Sequence, residues 1–265
     1  MTALHRFLTK LQGEAAVLVR VESTKGSVPR DAGTWMAVFA HELIATIGGG
    51  RLELDAIAHA RALLGGHSLA LQNTYKLGPS LGQCCGGEVV LSFQLVRARD
   101  ADLLRARLTA QHIPVALFGA GHVGLALVNI LGTLPMQVLW IDSRDQVFPD
   151  ALPETVRCEH SDPVDGAVAG LPPSSRVVVM SFSHAEDLDI VAACLRRQRE
   201  RADLPYLGLI GSKTKWASFR QRLLARGFSE AELAHVTCPI GVPGIGDKRP
   251  EAIAVGVAAQ LLQGL

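Results

Sequence analysis

One run, Pro114–Gly124, constrains the fold more than any other, because an apolar segment is followed at once by closely spaced glycines. Gly119, Gly121 and Gly124 fit the pattern G-x-G-x-x-G. In this pattern the first glycine makes a tight turn, the second lets the backbone approach a phosphate, and the third lets a helix pack on a strand. The apolar run Val123–Leu131 predicts that helix, and the N–H groups at its start can bind an anion.

A second apolar segment, Val138–Asp142, predicts the next strand and ends in an acid. Strand, glycine turn, helix and strand in this order predict a βαβ unit of the Rossmann type, in which such an acid binds the ribose of NAD. The first hypothesis is therefore an NAD(P)-dependent oxidoreductase with Asp142 on the ribose. Against it, we identify no Tyr–Lys or similar proton-transfer pair, and the tyrosines are Tyr75 and Tyr206.

Two later segments, 176–181 and 204–210, repeat the pattern of an apolar strand followed by a polar loop and a helix. The carboxyl ends of parallel strands share one edge of a sheet, and ligands bind there. We therefore expect the polar residues that follow these strands to line one crevice. They are Asp142, His184, Ser212 and Lys213.

The first hundred residues show a different pattern, with short segments rich in β-branched and apolar residues between glycine-rich loops. This pattern predicts a mainly antiparallel sheet. Because domains typically have about 100–150 residues, we predict two domains of the α/β class. Residues 1–99 form a smaller α+β domain, and residues 100–265 form a Rossmann-like, doubly wound parallel sheet.

Three successive glycines that end at Gly50 precede a predicted helix. Glycines let the main chain approach a ligand closely. The turn is either a plain strand-to-helix connection or a phosphate-binding site at a helix N-terminus. The cation at Arg51 favours the phosphate-binding site. Gly49, Gly50 and Arg51 are candidate binding residues.

The loop Leu77–Glu88 combines several glycines with two adjacent cysteines, Cys84 and Cys85. Adjacent side chains on extended backbone point in opposite directions, so we expect one thiol to face a ligand. Structural zinc is disfavoured, since there is no C-x-x-C and no second cysteine pair. Redox chemistry, metal binding and sulfur handling stay open for this loop, and Gln83 and Gly86 complete its candidate residues.

Composition narrows the class of partner. The net charge of +1, with 19% charged and 48% hydrophobic residues, disfavours a nucleic-acid partner and a disordered chain. No apolar run reaches the roughly 18–20 residues that cross a bilayer, and the N-terminus lacks the apolar core of a signal peptide. We therefore expect a cytoplasmic protein with no membrane partner. Five cysteines, an odd number, favour reduced thiols over a disulfide framework.

Four motifs together resemble the xanthine dehydrogenase accessory protein family, XdhC/CoxI. They are Leu77-Gly-Pro-Ser-Leu-Gly-Gln-Cys-Cys-Gly-Gly87, Leu117–Gly124, Gly208–Lys215 and Cys238–Ile245. The resemblance runs over nearly the whole chain, and the cysteine motif and the later glycine loop occur in the expected order around one Rossmann fingerprint. The chain departs from the pattern at Phe182, where a histidine is expected.

The resemblance implies a cytoplasmic, homodimeric chaperone without turnover of its own. Such a protein binds the molybdenum cofactor in its molybdopterin form and protects it while a cysteine desulfurase exchanges an oxo ligand for sulfido. It then delivers the cofactor to xanthine dehydrogenase or a related molybdenum hydroxylase. Cys84 or Cys85 is then a candidate molybdenum contact, since soft thiolates suit soft metals. The candidate cofactor-binding residues are Gly49, Gly50, Arg51, Gln83, Cys84, Cys85, Gly86, Gly119, Gly121, His122, Gly124, Asp142, His184, Ser212 and Lys213.

Two other functions stay open beside the chaperone. One is the NAD(P)-dependent oxidoreductase already described, which uses the Rossmann site. The other is a cysteine-based sulfur-transfer enzyme, which would carry a persulfide on Cys84 or Cys85.

Overall fold

The structure is a computed structural model, and it describes residues 2–78, 86–109 and 112–263. It divides into two compact units, Met1–Gln111 and His112–Leu265. Each unit has its own sheet and its own core. Within the described ranges, no helix is both long and apolar enough to cross a membrane.

The first unit is built on an antiparallel sheet, in the order β3-β2-β1-β5-β4. The prediction of a mainly antiparallel sheet is therefore confirmed. Its helices are α1 (Ala3–Leu11), α2 (Gly50–Leu64) and α3 (Ala101–Thr109). Its strands are β1 (Ala16–Lys25), β2 (Trp35–Val38), β3 (Leu43–Ala45), β4 (Gln72–Lys76) and β5 (Glu88–Val96).

Both faces of this sheet are buried, because helices cover each side. Val17 and Val19 of β1 pack into a core with α2, whereas Leu18 between them packs into a second core with α1 and α3. Successive side chains of a strand point to opposite faces, which explains why β1 begins as a continuous apolar run. Leu104 and Leu108 place α3 in the core of the first unit, whereas the sequence places a domain boundary just before this helix, near residue 100.

The second unit contains a parallel sheet in the order β11-β10-β9-β6-β7-β8. Counted within the unit, this is the order 3-2-1-4-5-6 of a doubly wound Rossmann sheet, as predicted. The order reverses between β6 and β9, and ligands bind at this switch point. The strands are β6 (Ile113–Phe118), β7 (Met136–Asp142), β8 (Val156–His160), β9 (Arg176–Val179), β10 (Tyr206–Leu209) and β11 (Val236–Thr237).

Helices cover both faces of the parallel sheet. One core joins α4 and α8 to one face of the sheet, and another joins α5, α6 and α7 to the opposite face. In β6, Val115 and Leu117 belong to the first core, whereas Ala116 and Phe118 belong to the second. The helices are α4 (His122–Leu131), α5 (His184–Arg201), α6 (Lys213–Ala225), α7 (Glu230–Leu233) and α8 (Pro250–Leu262).

A buried ion pair fixes the far end of α5. Arg197 is only 5% exposed, and its Nε and Nη2 donate to the carboxylate of Asp203 at 2.9 and 2.7 Å. Its Nη1 donates to the carbonyl oxygen of Val168 at 2.8 Å. The guanidinium thereby joins α5 to the 3-10 segment Val164–Gly170.

We predict that Asp203→Asn lowers the free energy of unfolding by about 2 kcal/mol or more, because it leaves the buried Arg197 without a counter-ion. The control is Asp189→Asn, which breaks the ion pair between Asp189 and Arg226. Their side chains are 48% and 41% exposed, respectively. Exposed pairs contribute less than about 1 kcal/mol. Urea unfolding of both variants measures the two losses, and equal losses would contradict the prediction.

Candidate functional site

The glycine fingerprint lies between β6 and α4, at the switch point of the sheet. Gly119 has φ of 115°, a conformation that favours glycine, and a Cβ here would collide with the carbonyl oxygen of Met180 at the end of β9. A Cβ on Gly124 would collide with the carbonyl oxygen of Gly119. That oxygen also accepts a hydrogen bond from the indole N–H of Trp140 at 3.0 Å. These two glycines therefore allow the fingerprint turn to pack closely against α4 and against the end of β9.

Gly121 differs from the other two glycines, because it faces open space. It is the N-cap residue of α4 with φ of −86°, and a Cβ built on it would meet no heavy atom of the described residues within 4 Å. None of the side chains that the structure describes caps α4. His122 is exposed and begins the helix. Unsatisfied N–H groups at a helix start, next to open space, can bind an anion.

Asp142, the predicted ribose contact, is buried at 2% exposure. Its Oδ2 accepts hydrogen bonds from the N–H of Ala120 at 2.6 Å and from Nη2 of Arg144 at 2.9 Å. Its Oδ1 accepts from the backbone N–H and from Nε of Arg144, both at 2.9 Å. Burial by itself raises the pKa of Asp142, but the hydrogen bonds from Arg144 and Ala120 lower it overall. The carboxylate thus holds the fingerprint turn and Arg144, and its role as a direct ligand contact stays a prediction.

Arg144 lies beside an exposed aromatic ring at this edge of the sheet. Its guanidinium carbon is 4.9 Å from the ring centre of Phe182. The hydrogen bond to Asp142 is the main reason that the pKa of Arg144 is raised. The sequence interpretation did not single out Arg144, although an arginine near this acid is a known variation of Rossmann sites.

His184, Ser212 and Lys213 follow β9 and β10 on the same edge as the fingerprint, as the strand pattern indicated. His184 is the first residue of α5, and its exposed ring meets Phe219 edge-on at 6.3 Å. Ser212 is the N-cap of α6, and its Oγ accepts from the N–H of Lys215 at 3.1 Å. Lys213 begins α6 and is exposed. Ser212 therefore has a local capping role, and ligand contacts by these residues stay a prediction.

A buried ion pair that sequence reasoning missed lies between α5 and α6. Asp187 Oδ2 accepts from Nζ of Lys215 at 2.6 Å, and its Oδ1 accepts from the N–H and Oγ of Ser181 at 2.8 and 2.7 Å. Lys215 also donates to the carbonyl oxygen of Ile210 at 2.9 Å. The pair fixes Ser181, whose Cα lies next to Gly119. No sequence periodicity joins residues 28 positions apart, so only the fold reveals this pair.

In the first unit, the glycine turn before α2 already holds a carboxylate. Gly48, Gly49 and Gly50 have φ of 120°, 75° and 67°, and glycine adopts such angles without strain. Glu53 accepts hydrogen bonds from the N–H groups of Ile47 and Gly49 at 2.9 and 3.1 Å. The N–H of Gly49 therefore already has an acceptor within the protein, and Glu53 occupies part of the predicted phosphate-binding site.

Arg51, next to this turn, is exposed, and its Nε pairs with Asp55 at 2.9 Å. Gly50 is the first residue of α2. The structure therefore leaves Gly50 and Arg51 at the accessible side of the turn, where anion contact stays a prediction.

The paired cysteines belong to the connection between β4 and β5. Gln83, Cys84 and Cys85 lie outside the described residues, so their predicted roles stay predictions. Gly86 is described and exposed, and the N–H of Leu77 donates to the carbonyl oxygen of Gly87 at 2.7 Å. A Cβ on Gly87 would collide with the carbonyl oxygen of Ser27. The base of the cysteine loop therefore packs on the loop that follows β1.

The described cysteines and acids form no metal centre. Across residues 2–78, 86–109 and 112–263, no group of three or more His, Cys, Asp or Glu side chains could hold a metal ion. Burial raises the pKa of the thiols of Cys194 and Cys238 to about 12 and about 11, so both are protonated at neutral pH.

Comparison with known proteins decides the family. A family model described as the XdhC Rossmann domain matches residues 115–261, and a model of the XdhC and CoxI family matches residues 10–74. The chain belongs to the XdhC/CoxI family. The first match lies in the second unit and the second match lies in the first unit, so both units carry the family pattern.

Two relatives extend the comparison for this XdhC/CoxI protein. The uncharacterized protein YqeB of Escherichia coli K12 is 24% identical over 252 residues, which cover 93% of this chain and 43% of YqeB. The chain thus spans less than half the length of that relative. A Bacillus halodurans structure described as a xanthine dehydrogenase superposes with a TM-score of 0.76 over 99% of this chain and 95% of that one, at 18% identity. This likeness confirms the fold.

We predict a pH-dependent effect of Asp142→Asn in this XdhC/CoxI protein. The folded-state pKa of Asp142 is lowered, so the stabilisation by its carboxylate is complete above the unfolded pKa of about 3.9. It is lost as the pH falls through the folded pKa. The difference in free energy of unfolding between parent and variant is therefore largest near neutral pH and shrinks below about pH 4.

Urea unfolding at a series of pH values tests this expectation. Asp189→Asn, which removes one surface carboxyl group, is the control. A difference between parent and Asp142→Asn that stays constant from pH 7 to acid would contradict the role assigned to the carboxylate.

Proposed function

We propose that this chain is an accessory protein for the maturation of xanthine dehydrogenase or a related molybdenum hydroxylase. In this proposal it binds the molybdenum cofactor in its molybdopterin form, holds it during sulfuration by a cysteine desulfurase, and delivers it to the client enzyme. The protein acts in the cytoplasm as a homodimer and has no turnover of its own. Membership of the XdhC/CoxI family supports the role in maturation.

One observation carries the binding part of the proposal: α4 begins without a side-chain cap, beside open space at Gly121 and at the switch point of the sheet. Molybdopterin carries a terminal phosphate, a polar pterin and a dithiolene. The N–H groups at the start of α4 can bind this phosphate. The shape of the turn that presents them depends on Gly119 and Gly124. When bound, the cofactor supplies the molybdenum centre that the client enzyme uses.

Other residues of the second unit would orient the cofactor. His122 and His184 offer ring nitrogens, and Ser212 and Lys213 offer a hydroxyl and a cation along the same edge of the sheet. Asp142 acts in this proposal through Arg144, which it holds in place.

The first unit contributes its own candidate contacts to the proposal. Gly50 and Arg51 remain at the accessible side of the glycine turn, with Gly49 shaping it. Cys84 or Cys85 supplies a soft thiolate to molybdenum, and Gln83 and Gly86 flank the pair.

The NAD(P)-dependent oxidoreductase is not favoured. The carboxylate of Asp142, which would hold the ribose, is almost fully buried and is already bonded to Ala120 and Arg144. We therefore prefer the accessory protein to the oxidoreductase.

Anaerobic purification followed by mass spectrometry of the released small molecules tests the proposal. We expect molybdopterin bound to the full chain. Saturable binding and turnover of NAD(P)H, with no molybdopterin retained, would overturn the proposal in favour of the oxidoreductase.

We predict that Gly121→Asp sharply reduces cofactor retention without unfolding the protein. Aspartate suits an N-cap position, so stability changes by no more than about 1 kcal/mol. Its carboxylate would occupy the N–H groups and repel a phosphate, and we expect retained molybdopterin to fall by about tenfold or more.

The matched control for this variant is Gly166→Asp. It adds the same charge at another glycine whose Cβ would meet no described atom within 4 Å. Retention of molybdopterin by Gly121→Asp at the parental level would contradict the phosphate site, and an equal loss in both variants would show an effect of net charge alone.

We also predict that Cys84→Ala/Cys85→Ala activates an apo-hydroxylase at least about tenfold less than the parent does, the scale of losing one metal-site interaction. Cys158→Ala, which removes an exposed thiol of the second unit, should activate like the parent. Activation of the apo-hydroxylase is measured in the presence of cofactor and a cysteine desulfurase. Full activation by the double variant would rule out a role for the cysteines.

A further inference from the structure

Phe182 is a large aromatic side chain in an unusual place for a structural residue. It follows the carboxyl end of β9, next to the switch point of the parallel sheet, and it is 67% exposed. The ring contacts the guanidinium of Arg144, whose carbon lies 4.9 Å from the ring centre. An exposed ring with a cation on one face presents its other face to a ligand.

Arg144 is held so firmly that its orientation is set before any ligand binds. Nε and Nη2 both donate to Asp142 at 2.9 Å, a two-pronged geometry that fixes the plane of the guanidinium. The buried carboxylate compensates much of the positive charge. A planar guanidinium of this kind is better suited to stacking on a ring than to holding a second anion.

Glu186 adds a hydrogen-bond acceptor beside this flat surface. Its Oε1 accepts from Oγ of Ser143 at 2.6 Å, and Ser143 lies between Asp142 and Arg144 in the chain. Its other carboxylate oxygen accepts no hydrogen bond within the part of the chain that the structure describes. The pKa of Arg144 is raised chiefly by Asp142 and also by Glu186, so the charge of Glu186 lies near the guanidinium.

The topology brings these groups to one place. The strands β7, β6 and β9 are neighbours in the sheet, and each contributes one part at its carboxyl end. Arg144 follows β7, the fingerprint follows β6, and Phe182 and Glu186 follow β9. Ligands of doubly wound sheets bind at this edge.

We propose that Phe182, Arg144 and Glu186 form a subsite for a flat 2-amino-4-oxopyrimidine ring, the ring shared by pterins and guanine. The exposed face of Phe182, with Arg144 on its other side, stacks on the ligand ring, and Glu186 accepts hydrogen bonds from the adjacent amino and ring N–H groups of that ring. Adenine does not present this pair of donors side by side, so Glu186 selects against it. The inference rests on the proposed function, and it identifies the part of the ligand that this edge recognises.

Calorimetric titration of the full chain with GMP, AMP and free pterin tests the subsite. We expect GMP and pterin to bind, and AMP to bind at least about tenfold more weakly, since hydrogen bonds to a charged group are worth this much or more. Glu186→Gln should weaken GMP and pterin by about tenfold or more and leave AMP unchanged. Glu200→Gln, at the far end of α5, should bind all three like the parent.

A second pair of variants tests the proposed stacking of the ligand ring on Phe182. Phe182→Leu keeps an apolar side chain but removes the ring face, and we expect it to weaken GMP and AMP alike by about fivefold or more. Phe182→Trp should restore binding. Equal affinity of the parent for GMP and AMP, absence of binding at millimolar concentration, or full GMP affinity in Glu186→Gln would overturn the inference.

Retention of molybdopterin, measured on the same variants, separates this inference from the proposed function. If the parent and Glu186→Gln retain molybdopterin equally, the ring subsite is wrong and the accessory function stands. If the parent prefers GMP and pterin over AMP but retains no molybdopterin on anaerobic purification, the subsite stands and the proposed cofactor is wrong.

Discussion

The carboxylate of Asp142 accepts hydrogen bonds from the loops that follow β6 and β7, next to the switch point, and the geometry of the crevice depends on it. On one side it holds the N–H of Ala120 in the fingerprint turn, and on the other it holds the guanidinium of Arg144. Its burial would be costly without these partners. With them, β6 and β7 end in a common hydrogen-bonded unit, and the start of α4 stays open to solvent.

The two glycine turns of the chain differ in whether the helix that follows carries an acid in its first turn. In the first unit, Glu53 reaches back from α2 and accepts the N–H groups of Ile47 and Gly49. In the second unit, Asp142 accepts the N–H of Ala120 from outside the helix, and the first turn of α4 contains no acid. The sequences look alike at this level, since both have clustered glycines before a helix. The second turn is therefore the better anion site.

Much of the fold could be predicted from the sequence, because alternation and glycine spacing report directly on backbone geometry. The parallel sheet, the antiparallel sheet and the fingerprint all follow from such local patterns. The direction in which a side chain points does not follow from local patterns. The sequence at Asp142 is the same whether the carboxylate faces a ribose or turns inward to Arg144. The pairing of Asp187 with Lys215 is equally hidden, since it depends on how α5 and α6 pack. The roles of Cys84 and Cys85 stay predictions.

A ligand at the edge formed by Arg144 and Phe182 would meet a surface that is already ordered, so little conformational entropy is lost when it binds. Asp142 has already cancelled much of the charge of the guanidinium, and stacking contacts weaken little in salt compared with ion pairs. In the proposed subsite, a surface of this kind would hold a flat ring with moderate and reversible affinity over a range of ionic strengths. Such affinity suits a protein whose proposed task ends with giving its ligand away.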